Sequence, residues 1–259
     1  ATTGERMSIL INAIRYLFVI ASLFMMKVNK KEITVRKGHL FTELKEGFDY
    51  TFGFPPIKYL ILLLSLVSLM GAYQVLMPVF VKETLNGSSN TYGFLMGAGG
   101  FGALIGAVYL ASRETVIKLG RLIPASIALF GSGLVLLSFQ RTFGISMFLL
   151  VFIGLGLMLH TAASNTILQT ITDNDKRGRV MSFYSMAIMG LAPFGSLIAG
   201  SLAKLVGTPA AILIGGLTSL AGAIIFYRKL PALKKLVRPV YSDKVVIPEI
   251  ASGIQTASD

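Results

Sequence analysis

The side chains that could do chemistry in this sequence sit inside long apolar segments, where a polar group needs a reason. Thr161, Asn165 and Gln169 fall at i, i+4 and i+8, one face of a helix, with His160 and Ser164 beside them. In hydrocarbon such groups must find partners on other helices or open onto a water-filled cavity. In another apolar segment Gln74 shares a helical face with Met70 and Met77, and Tyr73 sits next to it. Amides and hydroxyls among methionine and aromatic groups suit an adaptable pocket for a bulky ligand. They suit interhelical hydrogen bonds and core packing equally well, and Asn165 and Gln169, nearer one end of their segment, lean that way. Histidine ordinarily titrates near neutrality, so His160 could relay a proton or simply be hydrogen-bonded. Arg15, with Asn12, flaws a further apolar run, at a cost of ~2.5–3.5 kcal/mol unless the charge snorkels or meets a partner.

The elements that must position these groups are seven apolar segments. They run Ile9–Met26, Tyr59–Val81, Tyr92–Ala111, Leu122–Phe139, Ile145–Leu168, Val180–Val206 and Pro209–Tyr227. Each is long enough for a helix to cross a ~30 Å hydrocarbon core. The expected fold class is therefore an all-α membrane protein with seven transmembrane helices. Charge sets its orientation. Lys and Arg gather in Lys27–Lys58, Ser112–Arg121, Asp173–Arg179 and the tail after Tyr227. The alternate gaps hold only Arg6, Lys82, Arg141 and Lys204 of the 24 basic residues, and Arg15 lies within a span. By the positive-inside rule the first set is cytoplasmic, so the N-terminus faces outward and the C-terminus inward.

Composition excludes several functions. The net charge of +12 resides in short loops beside spans, which fits topology and anionic headgroups rather than nucleic acid. With no Cys, two His and all 12 carboxylates outside the apolar segments, there is no recognisable metal site and no cofactor is expected. A cleavable signal peptide is not visible, because the first apolar run lacks a basic leader and a small-residue cleavage site. The opening Ala1-Thr2-Thr3-Gly4 lacks an initiating Met and reads as a piece of something longer.

Local pattern adds three expectations. Leu40, Phe41, Leu44, Phe48 and Phe52 recur at helical spacing against Glu43, Lys45, Glu46 and Asp49, an amphipathic helix for the cytoplasmic interface ended by Pro55-Pro56. In the third span Gly93/Gly97 and Gly102/Gly106 lie four apart and would let two backbones approach closely, as tight packing or as a surface that rocks. In the sixth, Gly190, Pro193, Gly195 and Gly200 predict a kink at Pro193.

Residues Asp175-Lys176-Arg177-Gly178-Arg179-Val180-Met181-Ser182, following Asn165 to Gln169, resemble the loop between the tenth and eleventh helices of major facilitator superfamily transporters. The branch they resemble contains enterobactin and macrolide exporters. Glu43 to Tyr50 is similar to the end of that branch's central loop. Ala111-Ser112-Arg113 with Gly120-Arg121 resembles a degraded copy of the superfamily's Gly/Asp/Arg loop motif, without the Asp of its gating salt bridge.

The resemblance implies helices six to twelve of a twelve-helix transporter. Residues 1–26 would be the last helix of an N-terminal bundle, 27–58 the central loop, 59–228 a six-helix C-terminal bundle and 229–259 a basic cytoplasmic tail, disordered at its end. It further implies alternating access about a central cavity, an exporter's direction and a proton gradient as energy source. The second and fifth spans would line the cavity with Tyr73, Gln74, His160, Thr161 and Asn165, and the third and sixth would meet the missing bundle. Arg113, Arg121, Arg177 and Arg179 would sit at the cytoplasmic gate or on lipid phosphates. The implied partners are the cell-membrane bilayer, a small-molecule substrate and the missing five-helix portion. A membrane-embedded, lipid-modifying enzyme is the alternative, but it would need clustered nucleophiles, acids or metal ligands near the interface. A non-transporting scaffold would need neither the polar stripe nor the kinked span.

Overall fold

The computed structural model describes residues 13–18, 20, 22, 40–113 and 119–243. It divides into two units, and the first holds only a short described stretch: residues 13–18, 20 and 22 are helical and exposed, Arg15 among them. Most of the expected first span, Asn12 included, lies outside the described residues.

The second unit is all helix among the described residues, with six segments long and apolar enough to cross a membrane. Its elements are α1 (Leu40–Gly53), α2 (Pro55–Met70), α3 (Tyr73–Glu83), α4 (Ser89–Ala111), α5 (Leu119–Ser138) and α6 (Phe143–Ile171). There follow α7 (Arg177–Ser185), a π-helical segment (Met186–Gly190), α8 (Ala192–Val206) and α9 (Thr208–Asp243). Pro55 and Pro56 open α2, where a missing N–H costs nothing, so α1 ends as the sequence predicts. Ser88 and Thr91 form a capping box that starts α4.

Glycines draw the helices together. A Cβ on Gly102 would lie 1.9 Å from the Val151 carbonyl oxygen, and one on Gly154 2.0 Å from that of Gly99, so α4 and α6 touch backbone to backbone. Gly131 of α5 and Gly216 of α9 face each other in the same way. Only one of the two expected pairs on the third span does this work. Gly102 and Gly106 pack on α6, whereas Gly93 and Gly97 have nothing within 4 Å. Phe80, Phe130, Ile127, Leu134, Leu150 and Ile153 fill the core between these crossings.

The last span overruns its expected end at Tyr227. Its helix continues to Asp243 through Pro231 and Pro239, with Leu230, Leu233 and Val237 buried at i, i+3 and i+7. Arg228 and Lys229 end the apolar run but not the buried face, because Lys and Arg heads can stay in water while the helix packs on. The expected disordered end, from Lys244, lies outside the described residues.

Candidate functional site

Two of the six spans are interrupted within their length, and both interruptions border one cavity. The second span breaks at Gly71-Ala72, between α2 and α3. Gly71 N–H still bonds the Val67 carbonyl at 2.8 Å, but the Tyr73 N–H turns to the Gly71 carbonyl, also at 2.8 Å. A Cβ at Gly71 would meet Val67 O at 2.5 Å and the Phe130 ring at 2.9 Å, so only glycine fits there. The sequence showed no break here: a small Gly-Ala pair in an apolar run is its only trace.

The sixth span gives way just before Pro193 rather than at it. Met186–Gly190 runs in π geometry, Leu191 N–H bonds the Met186 carbonyl at 3.0 Å, and Pro193 lies in the first turn of α8. In the π register Ile188's carbonyl would look to the N–H of Pro193, which has none. Ser68 Oγ donates to it instead, at 3.1 Å across from α2. The proline thus shifts the fault one turn back, and a neighbouring helix satisfies it.

Between the two interruptions lies a cavity of about 530 Å³. Its wall takes Tyr73 and Gln74 from the second span, Met96 and Gly99 from α4, His160 and Thr161 from α6, and Ile188 and Ser196 from the sixth span. Among the described residues, no Asp, Glu, Lys or Arg lines it. The third and sixth spans, expected only to meet a missing bundle, therefore also line the cavity. Small residues line much of it, among them Ala72, Ala103 and Gly100, where a Cβ would meet nothing within 4 Å.

Four of the five residues expected at a binding site are together here. Tyr73 is buried with its ring edge-on to Phe130, 6.0 Å between centroids, while Gln74 is exposed. The break separates Gln74 from the Met70 face expected of a continuous helix, and Met77 turns fully into the core. Thr161 Oγ1 donates to its own helix, to Leu157 O at 3.0 Å. His160 is buried; its Nδ1 lies 3.5 Å from Ser164 Oγ, and its Nε2 has no hydrogen-bond partner among the described residues. Asn165 is the exception. It does not line the cavity but accepts a hydrogen bond from Gln169 Nε2 one turn on. Tyr184, which the sequence reading passed over, caps this stripe by donating to Thr161 O at 3.2 Å.

The expected gate arginines divide. Arg113 lies over the Tyr109 ring, 4.8 Å to its centroid, and donates to the Tyr109 hydroxyl; Arg121 and Arg177 are exposed. Arg179 pairs with Glu46 of α1 at 2.7 Å. Tyr50 of α1 donates to the Asp173 carboxylate at 3.2 Å and accepts from its N–H at 3.3 Å. Burial, together with the Asp173 carboxylate, holds the Tyr50 hydroxyl above its ordinary pKa of 10.0, so it remains a donor at neutral pH. Phe48 and Phe52 stack at 4.4 Å and meet Phe183 at their edges. The amphipathic helix therefore docks on protein, with Gly47 and Thr51 buried against it.

The sequence profile described as transmembrane secretion effector, a major facilitator family, matches residues 1–258. The chain belongs to this family. It is also similar to "Uncharacterized MFS-type transporter YfmI" of Bacillus subtilis (strain 168), 24% identical over 194 residues. That alignment covers 73% of this chain and 48% of the relative, so the chain spans about half the length of the curated relative it matches. No solved structure matches it. Membership in the major facilitator superfamily makes this a multi-pass membrane protein of a transporter family, not of an enzyme family.

Proposed function

We propose that the complete protein is a secondary transporter that exports small amphipathic compounds or siderophore-like metabolites by alternating access. In this reading the chain supplies the last helix of one six-helix bundle, the central loop and the second bundle, in the exporter branch that its loop motifs resemble. The observation that carries the reading is the pair of interrupted membrane helices flanking one uncharged cavity. Irregular backbone at membrane depth is tolerated where it borders a cavity or protein, and transporters place binding sites at such breaks. The absence of charge from the wall and its mixture of Met, aromatic, hydroxyl and amide groups suit a bulky, largely neutral solute. The basic loops face the cytoplasm, the chain's N-terminus faces outward, and a proton gradient drives export.

The test is accumulation of dyes, drugs and siderophores in cells expressing the complete gene, against an empty vector, with and without a protonophore. Lower accumulation that the protonophore abolishes supports the reading; unchanged accumulation with verified membrane expression refutes multidrug export. Within an active protein, Gln74→Ala and His160→Ala should reduce export more than abundance. Orientation is tested separately with an impermeant thiol reagent: Asn90→Cys and Val206→Cys should react from outside, and Asp175→Cys should not.

A further inference from the structure

We propose that Glu46, Tyr50 and Arg179 are positioning residues for the cavity: through them α1 clamps α7 and sets how the sixth span enters its π segment. This deepens the transport reading above and rests on it. The clamp has two holds, one at each end of the Asp173–Arg179 loop. Tyr50 exchanges two hydrogen bonds with Asp173, and Glu46 meets Arg179 at 2.7 Å, bridging 133 positions of sequence. Gly47 makes the approach possible, since even a Cβ there would stand 3.3 Å from that of Arg179. The Phe48, Phe52 and Phe183 rings add an apolar contact beside the polar ones.

What the clamp holds has few other attachments: Tyr184 donates to Thr161 O and Ser68 to Ile188 O. From Arg177 to Gly190 only Val180 and Ala187 are buried. Directly after α7 the backbone passes into π geometry, where helices kink and which recurs at functional sites. Ile188 within that segment, and Ala192 and Ser196 directly after it, form part of the cavity wall. A rotation of α7 about the π segment therefore moves the wall. The hold is also of a reversible kind. The Arg179 and Glu46 side chains are 27% and 51% exposed, and ion pairs so wet contribute little fixed stability. A contact of that sort suits a latch that opens in each cycle.

The experiment uses the complete protein, its other cysteines replaced, in lipid nanodiscs and proteoliposomes. Maleimide modification of Ser196→Cys reports the cavity wall, and substrate flux reports kcat and KM. Glu46→Arg and Arg179→Glu should each change the modification rate by about 2- to 30-fold and shift flux through kcat. The double reversal Glu46→Arg/Arg179→Glu should restore both. Should a charge reversal fail to fold, Tyr50→Phe, which removes one hydroxyl, should change the modification rate in the same direction. Unchanged modification in the folded variants, or a double reversal no better than the singles, overturns the clamp. If the wild type moves no solute but the modification rates still follow the charge swap, the transport reading fails and the clamp stands.

Discussion

The fifth and sixth spans begin from similar apolar sequence and are treated in opposite ways. In Phe143–Ile171, 44% of the most apolar stretch is buried, and Gly154 lets α4 close onto it until backbones touch. In Arg177–Val206 the figure is 17%, the helix is interrupted, and Gly200 has nothing within 4 Å. Both spans are glycine-rich, so glycine content does not distinguish a weld from a joint. What distinguishes them is continuity: both have a glycine against another backbone, Gly154 on Gly99 and Gly195 on Ser68, but only the sixth span is interrupted and left open at Gly200. The fifth span is a rigid wall of the cavity, and the sixth is its adjustable one.

The contrast breaks most readily at the weld. Gly102→Val or Gly154→Val drives a side chain into a carbonyl oxygen with nowhere to go. We expect loss of at least ~1–3 kcal/mol, or no folded protein, in thermal unfolding of the purified complete protein. A wild-type melt would mean that α4 and α6 do not approach as described.

At the joint the expected effect is on turnover. Pro193→Ala returns an N–H to the first turn of α8, so the π segment can relax towards regular helix. Export should fall roughly several-fold while the melting temperature holds or rises, because the joint serves motion rather than stability. A variant that only melts earlier would make Pro193 a packing residue.

Smaller still is Ser68→Ala, which removes the donor to Ile188 O. Stability should fall by about 0.6 kcal/mol, the mean for hydrogen bonds between membrane helices. No change would mean that the carbonyl finds another donor. Least of all should come from Gly97→Ala, where a Cβ meets nothing within 4 Å, with an effect inside about 0.5 kcal/mol. A larger loss in the complete protein would sharpen the comparison by showing a second surface packed on that face of α4.

Much of this was legible in the sequence because hydrocarbon imposes length and polarity on every span. Four of the segment cores expected from apolar runs are continuous or merely lengthened in the structure, the second span breaks at Gly71-Ala72, and the sixth carries its interruption within one turn of the expected Pro193. Four of five candidate site residues reach one cavity, since polar side chains in apolar helices have few places to go. Asn165 stands outside that cavity, in keeping with its lean towards hydrogen bonding, because an i, i+4 neighbour, Gln169, offers a partner without leaving the helix. The break at Gly71 has little local signal: of the groups crowding a Cβ there, the Phe130 ring comes from almost 60 residues on. Arg179 was expected at the gate or on lipid phosphates; nothing local to it names Glu46 as its partner.

The sequence by itself determined that this chain crosses a membrane repeatedly, which groups are polar within it, and which loops are basic. Those follow from transfer free energies, which act residue by residue. Only the tertiary structure decided where the helices weld, where they break and which polar groups face a common space. Each of those depends on a backbone or ring brought from elsewhere in the chain, and close packing, unlike hydropathy, is a property of pairs.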